Sequence, residues 1–293
     1  MITADGIVFD CDGVLVDVAN SYYKTISLTT HNILYSFSIP VSEPEIGPLI
    51  QSFKDTGAYN NEIDLTYSII LSIVAGHRAG LDPYKTAMKL SVHNKGIHDT
   101  EQRANEIHNI HDMIDELAYP GCNSVVQEVF DQIFYGPSLY RTIFNRPSKF
   151  SEPGLIDTER LYIDDKISDV LVRRFHDKIG MVTGRGYKSA SYTLGGFMKI
   201  FDVQASSFLE DEPRALAKPN PEPLKSAIQK MKIQNCIYVG DSVEDLIMAK
   251  RVDSVTFVGV WGSSIDPSQR ERALQYNGAD YTIESLSHLE LLL

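Results

Sequence analysis

The stretch Ile7-Val8-Phe9-Asp10-Cys11-Asp12-Gly13-Val14-Leu15-Val16-Asp17 constrains the chain more than any other. A short apolar run with β-branching stops abruptly at two carboxylates that are separated by one residue. Unbroken apolar character reads as a strand buried on both faces, the habit of parallel sheets. Asp10 then stands at the carboxyl end of a central strand, where open α/β sheets bind ligands. Gly13 lets the chain turn so that the second carboxylate comes back over the first. Two unpaired acids at a buried strand end repel each other and lose hydration, which a cation or phosphate chemistry would explain. The same residues also fit a plain Asp-Gly turn.

A chain of 293 residues can hold one large domain or two moderate ones. Its apolar share of 43% and charged share of 23% are those of an ordinary soluble protein. The net charge of −12 argues against nucleic acid or an anionic membrane as partner, and an anionic substrate would need local positive charge or a metal. Cys11, Cys122 and Cys236 lie far apart, which suggests reduced thiols and a cytoplasmic protein. There is no cationic leader followed by an apolar region, so no signal peptide is expected. The most apolar helical stretch, 65–75, contains Thr66, Ser68 and Ser72 and is too short to span a bilayer; it reads as a buried helix.

Helical spacing follows the first strand. Tyr22, Ile26 and Leu34 mark a helix over 17–37 that stops before Pro40. Asp64 is a candidate N-cap for 65–76, Pro83 opens 84–93, and Asp99 or Thr100 opens a long polar helix reaching Ala118. Asn123 or Ser124 leads 125–135. Such a run of helices predicts an all-α module. Residues 146–157, with Pro147, Pro153 and Gly154, read as a loop. Strands at 179–183, 201–204, 236–240, 254–260 and 281–283 then alternate with helices at 165–178, 187–197, 221–231, 243–251, 268–276 and 285–292. Repeated αβ units imply a parallel sheet covered on both faces, and the opening strand needs that sheet. The expected fold is therefore α/β, a doubly wound parallel-sheet core formed by 1–16 and 151–293, with an all-α domain, 17–150, inserted after the first strand.

Three more strand ends carry polar residues. Thr183-Gly184-Arg185-Gly186 offers a hydroxyl and backbone N–H groups before a helix, an anion site or simply a cap. In Lys218-Pro219-Asn220-Pro221 the prolines stiffen the loop around an ammonium that can neutralise a carboxylate or a phosphoryl oxygen. Asp241 ends the 236–240 strand, and Asp245 lies one helical turn on, on the same side. The carboxylates of Asp10, Asp241 and Asp245, with a backbone carbonyl near Asp12, make a hard oxygen site suited to Mg²⁺. Taken singly, Asp241 could equally cap the helix and Asp245 be solvated.

In this order and at these strand ends, Asp10-Cys11-Asp12-Gly13-Val14, Thr183-Gly184-Arg185, Lys218-Pro219 and Gly240-Asp241 through Asp245 resemble the haloacid dehalogenase superfamily. The likeness is closest to its phosphoglycolate-phosphatase-like branch, with an enlarged helical cap. The resemblance implies a Mg²⁺-dependent phosphatase acting on a small phosphorylated metabolite. Asp10 would be the nucleophile that forms an aspartyl-phosphate, and Asp12 the general acid and then base. Thr183, the Gly184 N–H and Lys218 would hold the phosphoryl group. Asp10, Asp12 through its backbone carbonyl, Asp241, and Asp245 directly or through water would hold the metal. Arg185 is expected only to pair with core acids.

The alternatives are a phosphosugar mutase of the β-phosphoglucomutase type, whose cap-hinge histidine would fall on Tyr22, and a catalytically silent binding protein. The oligomeric state has no signature in the sequence. Within the inserted module, the loop Gly57-Ala58-Tyr59-Asn60-Asn61 offers an aromatic face and two amides for a polar leaving group. His108, His111, Asp112 and Asp115 have metal-like spacing but fit a solvated helix better.

Overall fold

The structure, a computed structural model, describes every residue except Val41, Ser42, Asn60, Cys122 and Ile265, and the side chains of Glu43 and Pro44. The chain forms two compact units, Met1–Ala19 with Glu159–Leu293, and Asn20–Thr158.

The chain begins with β1 (Gly6–Phe9) and β2 (Val16–Asp17). Among the described residues, seven helices follow: α1 (Ala19–Ser36), α2 (Glu43–Lys54), α3 (Glu62–Arg78), α4 (Pro83–Ser91), α5 (Ile97–Ile107), α6 (His111–Leu117) and α7 (Val125–Phe144). Then come β3 (Arg160–Leu161), α8 (Asp165–Phe175), β4 (Ile179–Thr183), α9 (Tyr187–Leu194), β5 (Ser207–Phe208) and α10 (Glu222–Met231). The chain ends with β6 (Cys236–Gly240), α11 (Val243–Lys250), β7 (Val255–Val260), α12 (Pro267–Tyr276) and β8 (Tyr281–Ile283).

Among the described residues, the α/β unit contains a sheet of order β5-β4-β1-β6-β7-β8, with every pair parallel. β1 lies between β4 and β6, with Ile7 level with Ile179 and Ile237. Side chains alternate across it: Ile7 and Phe9 join one buried cluster with Met181 and Val239, and Val8 joins the other with Val182 and Tyr238. This two-sided burial is what the apolar run ending at Asp10 predicts. The carboxyl ends of β1, β4 and β6 share one edge, beside the point where strand order reverses. β2 and β3 form a separate antiparallel pair, with Asp17 opposite Arg160.

Asn20–Thr158 is helical. Its core includes Tyr67 and Phe53, both fully buried. Several boundaries differ from the sequence reading. α2 is absent from the sequence reading, and Gly47 and Pro48, residues that disfavour a helix, lie within it. Ile46, Leu49, Ile50 and Phe53 recur at helical spacing and are all buried, and that burial outweighs the proline. α3 is capped by Asn61, whose Oδ1 accepts from the Ile63 and Asp64 N–H groups, and not by Asp64. The long polar helix is two, α5 and α6. Asn105 and Asn109 side chains accept from the N–H groups of Ile110 and His111, which takes both out of a continuous helical ladder. α7 runs on to Phe144 across a kink at Gly136, where φ is +67°. In the α/β unit, 201–204 forms no strand. The Asp202 carboxylate accepts from the N–H groups of Gln204 and Ala205, which makes a turn, and β5 comes later. The last segment, Leu286–Leu291, is a 3₁₀ helix. Among the described residues no helix is long and apolar enough to cross a membrane.

Tyr59 corrects the expectation for its loop. It is buried in the helical unit, with its ring edge-on to Phe53 and its hydroxyl bonded to Asn94 Oδ1 (2.7 Å) and Thr100 Oγ1 (2.8 Å). Asn61 is spent on the α3 cap, and Asn60 lies outside the described residues. Asp112, in the His/Asp group, pairs with Arg78 at 2.6 and 2.8 Å. Tyr59→Phe should lower the unfolding free energy by about 1–3 kcal/mol, because Asn94 and Thr100 lose a buried partner. Urea unfolding checks this, and an unchanged midpoint would contradict it.

Candidate active site

After β1 the backbone turns tightly. The Cys11 carbonyl accepts from the N–H groups of Val14 (3.3 Å), Leu15 (2.8 Å) and Val16 (3.0 Å). Gly13 has φ +73°, and a Cβ there would collide with the Asp241 carboxylate, so only glycine serves at this point. The turn lays the Asp12 segment against the end of β6.

Asp10 is held by its own strand end, where its Oδ1 accepts from the Cys11 N–H at 2.8 Å. Lys218 Nζ reaches the same oxygen at 2.8 Å and Asp245 Oδ1 at 2.7 Å. Asp245 is fully buried at the start of α11, in a reciprocal cap with Ser242. Its Oδ1 takes Lys218 and the Tyr238 hydroxyl (2.8 Å), and its Oδ2 takes the Ser242 hydroxyl (2.7 Å) and N–H (3.2 Å). Its acceptor positions are therefore filled by protein donors. Asp241 bonds Arg270 of α12 through both its carbonyl and Oδ2, the latter at 2.8 Å.

One oxygen each of Asp10, Asp241 and Asp245 lies within 4.8 Å of the others, a group able to hold a metal ion. An all-oxygen carboxylate set fits a hard divalent cation such as Mg²⁺. Because Asp245 is saturated by donors, Asp10 and Asp241 offer the more open oxygens. Burial pushes the Asp10 carboxyl well above the usual range, against the pull of Lys218. Burial likewise raises Asp241 to about 6, against Arg270. For Asp245 the cost of burial is outweighed by Lys218, Ser242 and Tyr238, which hold it below the usual value. Lys218 is raised despite its burial, because Asp10 and Asp245 flank it. Burial pushes the Cys11 thiol up, so it is no nucleophile at neutral pH.

Thr183 ends β4, fully buried, and its hydroxyl accepts from the Arg185 N–H at 3.2 Å. Around Gly184 the space is open. The α9 N-terminus is less available to an anion than the sequence suggests. The Gly186 N–H donates to Glu210 (2.8 Å) and the Tyr187 N–H to Asp211 (2.7 Å). Arg185 is buried with Glu159 and bonds Asp12 as well.

The structure thus gathers Asp10, Lys218, Asp241 and Asp245 into one group, with Thr183 and Gly184 on the neighbouring strand end. Sequence reasoning missed Tyr238, Arg270, Glu159 and the acids at 210–211. Only Ser242 left a readable signal, the Ser-x-x-Asp spacing of a helix cap.

Residues 155–253, within the α/β unit, match the family model of the haloacid dehalogenase-like hydrolases. Among solved structures, a Northeast Structural Genomics Consortium target is similar over 98% of both chains, with a TM-score of 0.69 and 18% identity. The phosphatase Tt82 from Thermococcus thioreducens is similar over 92% of this chain and 98% of its own, with a TM-score of 0.60 and 21% identity. A provisionally designated phosphoglycolate phosphatase from Lactobacillus plantarum is similar over 100% of both chains, with a TM-score of 0.55 and 16% identity. At such identities the likeness establishes the fold. No curated protein matches the sequence.

The raised Asp241 carboxyl sets a pH dependence. A group whose value in the folded state lies above its unfolded value, here about 6 against 3.8, stabilises the metal-free protein below the lower value, and that contribution is lost as pH rises through the upper one. A divalent cation reverses the sign, since it needs the ionised carboxylate. The rise in Tm caused by Mg²⁺ should therefore grow between about pH 5 and about pH 7.5. Equal shifts at both pH values would contradict this.

Proposed function

We propose that the protein is a Mg²⁺-dependent phosphatase that hydrolyses a small phosphorylated metabolite through an aspartyl-phosphate on Asp10. The observation that carries the reading is Lys218 fixed between Asp10 and Asp245 with Asp241 alongside, at the sheet edge of a hydrolase domain. That a phosphatase from Thermococcus thioreducens shares the fold supports phosphoesters as the substrate class.

In the first step an Asp10 carboxylate oxygen attacks phosphorus. The bond to the ester oxygen breaks, and that oxygen takes the proton of the Asp12 carboxyl and leaves as an alcohol. In the second, Asp12 takes a proton from water, the water oxygen bonds to phosphorus, and the Asp10–phosphorus bond breaks to release inorganic phosphate. Thr183, the Gly184 N–H and Lys218 hold the phosphoryl oxygens. Lys218 also favours the ionised form of Asp10 against its burial, and a nucleophile requires that form. Asp10, Asp241 and the Asp12 carbonyl would hold the metal, and Asp245 would do so directly or through water. When bound, Mg²⁺ offsets charge on the phosphoryl oxygens.

The helical unit Asn20–Thr158 is read as the cap of such enzymes. The reduced, buried Cys11 and Cys236 suit the cytoplasm, and the negative net charge disfavours nucleic acid and anionic membranes as partners.

Asp10→Asn is nearly isosteric and should keep the fold while lowering hydrolysis of 4-nitrophenyl phosphate by about 10³-fold or more. Circular dichroism with a phosphate-release assay checks both halves. Residual turnover within tenfold of wild type, or full wild-type turnover in EDTA, would contradict the reading.

A further inference from the structure

We propose that Glu159 is a positioning residue for Asp12, acting through Arg185. The inference rests on the reading of Asp12 as acid and base given above. The Arg185 guanidinium is buried, its side chain only 1% exposed. Its Nε donates to Asp12 Oδ1. On the far side its Nη2 donates to Glu159 Oε1 at 2.6 Å, and Nη1 donates to the Thr193 hydroxyl at 3.1 Å. Thr193 in turn donates to Glu159 Oε2 at 2.9 Å, so guanidinium, carboxylate and hydroxyl close a ring.

A planar fork bound at its two terminal nitrogens has its plane and reach fixed. The remaining Nε–H then points in one direction, and Asp12 lies there. Asp12 has a side chain 26% exposed, against 1% for Glu159, so the carboxylate that must move protons is the accessible one and its support is dry. A buried guanidinium facing Asp12 alone could follow that side chain as it moves. The Glu159 carboxylate removes this freedom and supplies the counter-charge that keeps Arg185 in place.

The chain path gives the ring a further consequence. Glu159 immediately precedes β3, whose Arg160 and Leu161 pair with Asp17 and Val16 of β2, the strand that follows the Asp12 turn. Asp12 is thereby tied to both stretches that join the α/β unit to the helical one. The side-chain tie runs through Glu159 and Arg185, and the backbone tie runs through β2 and β3.

A residue that only positions the acid should affect esters according to how much protonation their leaving group needs. Glu159→Gln keeps shape but loses charge, and Thr193→Val opens the ring while leaving both charges. With the wild type as reference, kcat/KM is measured for phenyl phosphate, a poor leaving group, and for 4-nitrophenyl phosphate, a good one of similar size. The expected result for both variants is a loss of about tenfold or more on phenyl phosphate and under about threefold on 4-nitrophenyl phosphate. Thr193→Val, the milder change, carries the test alone should Glu159→Gln not fold. Equal losses on the two esters, or no loss on either, in a folded variant would overturn the positioning role. A wild type that hydrolyses neither ester would overturn the phosphatase reading, and the inference with it.

Discussion

Everything at the sheet edge depends on one ammonium between two carboxylates. Asp10 and Asp245 are buried, and Lys218 Nζ stands within 2.8 Å of both. Without it, two desolvated negative charges would face each other beside Asp241, and stranding a buried charge costs about 3–5 kcal/mol. Three chain segments must converge to build the pair: the tip of β1, the rigid loop before α10, and the first turn of α11. The parallel sheet with β1 between β4 and β6 is what brings them to one edge.

Around this pair, charge is graded by burial. The Lys218–Asp245 pair is dry and braced by Tyr238 and Ser242. Asp241 is offset by Arg270 from α12, and Asp12 by Arg185. Burial keeps the Asp10 and Asp241 carboxyls raised despite Lys218 and Arg270, and an arriving divalent cation would offset that cost. Asp245, held below the usual carboxylate value, belongs to the fixed scaffold around Lys218.

The fold was legible where apolar pattern and strand-end chemistry coincide. The strands at Ile179–Thr183 and Cys236–Gly240 fall where the sequence places them, because burial on both faces leaves a largely apolar run with a sharp polar end. Local chemistry hid other parts. Pro48 masks α2, and Asn105 and Asn109 divide a helix that composition alone reads as continuous. Partners brought in from a distance left no trace at all. Glu159 meets Arg185 from 26 residues away and Arg270 meets Asp241 from 29, and neither spacing carries periodic information. Tyr59 looked like a surface aromatic in a polar loop, yet Asn94 and Thr100 satisfy its hydroxyl inside the helical unit.

The central claim is that Asp10 carries the phosphoryl group. Acid quenching of the enzyme during turnover of ³²P-labelled phenyl phosphate, followed by peptide mapping, tests it most directly. The account predicts an acid-stable, hydroxylamine-labile label on the peptide containing Asp10. Hydrolysis at an undiminished rate with no label on that peptide at any time, or a label on another residue, would contradict it.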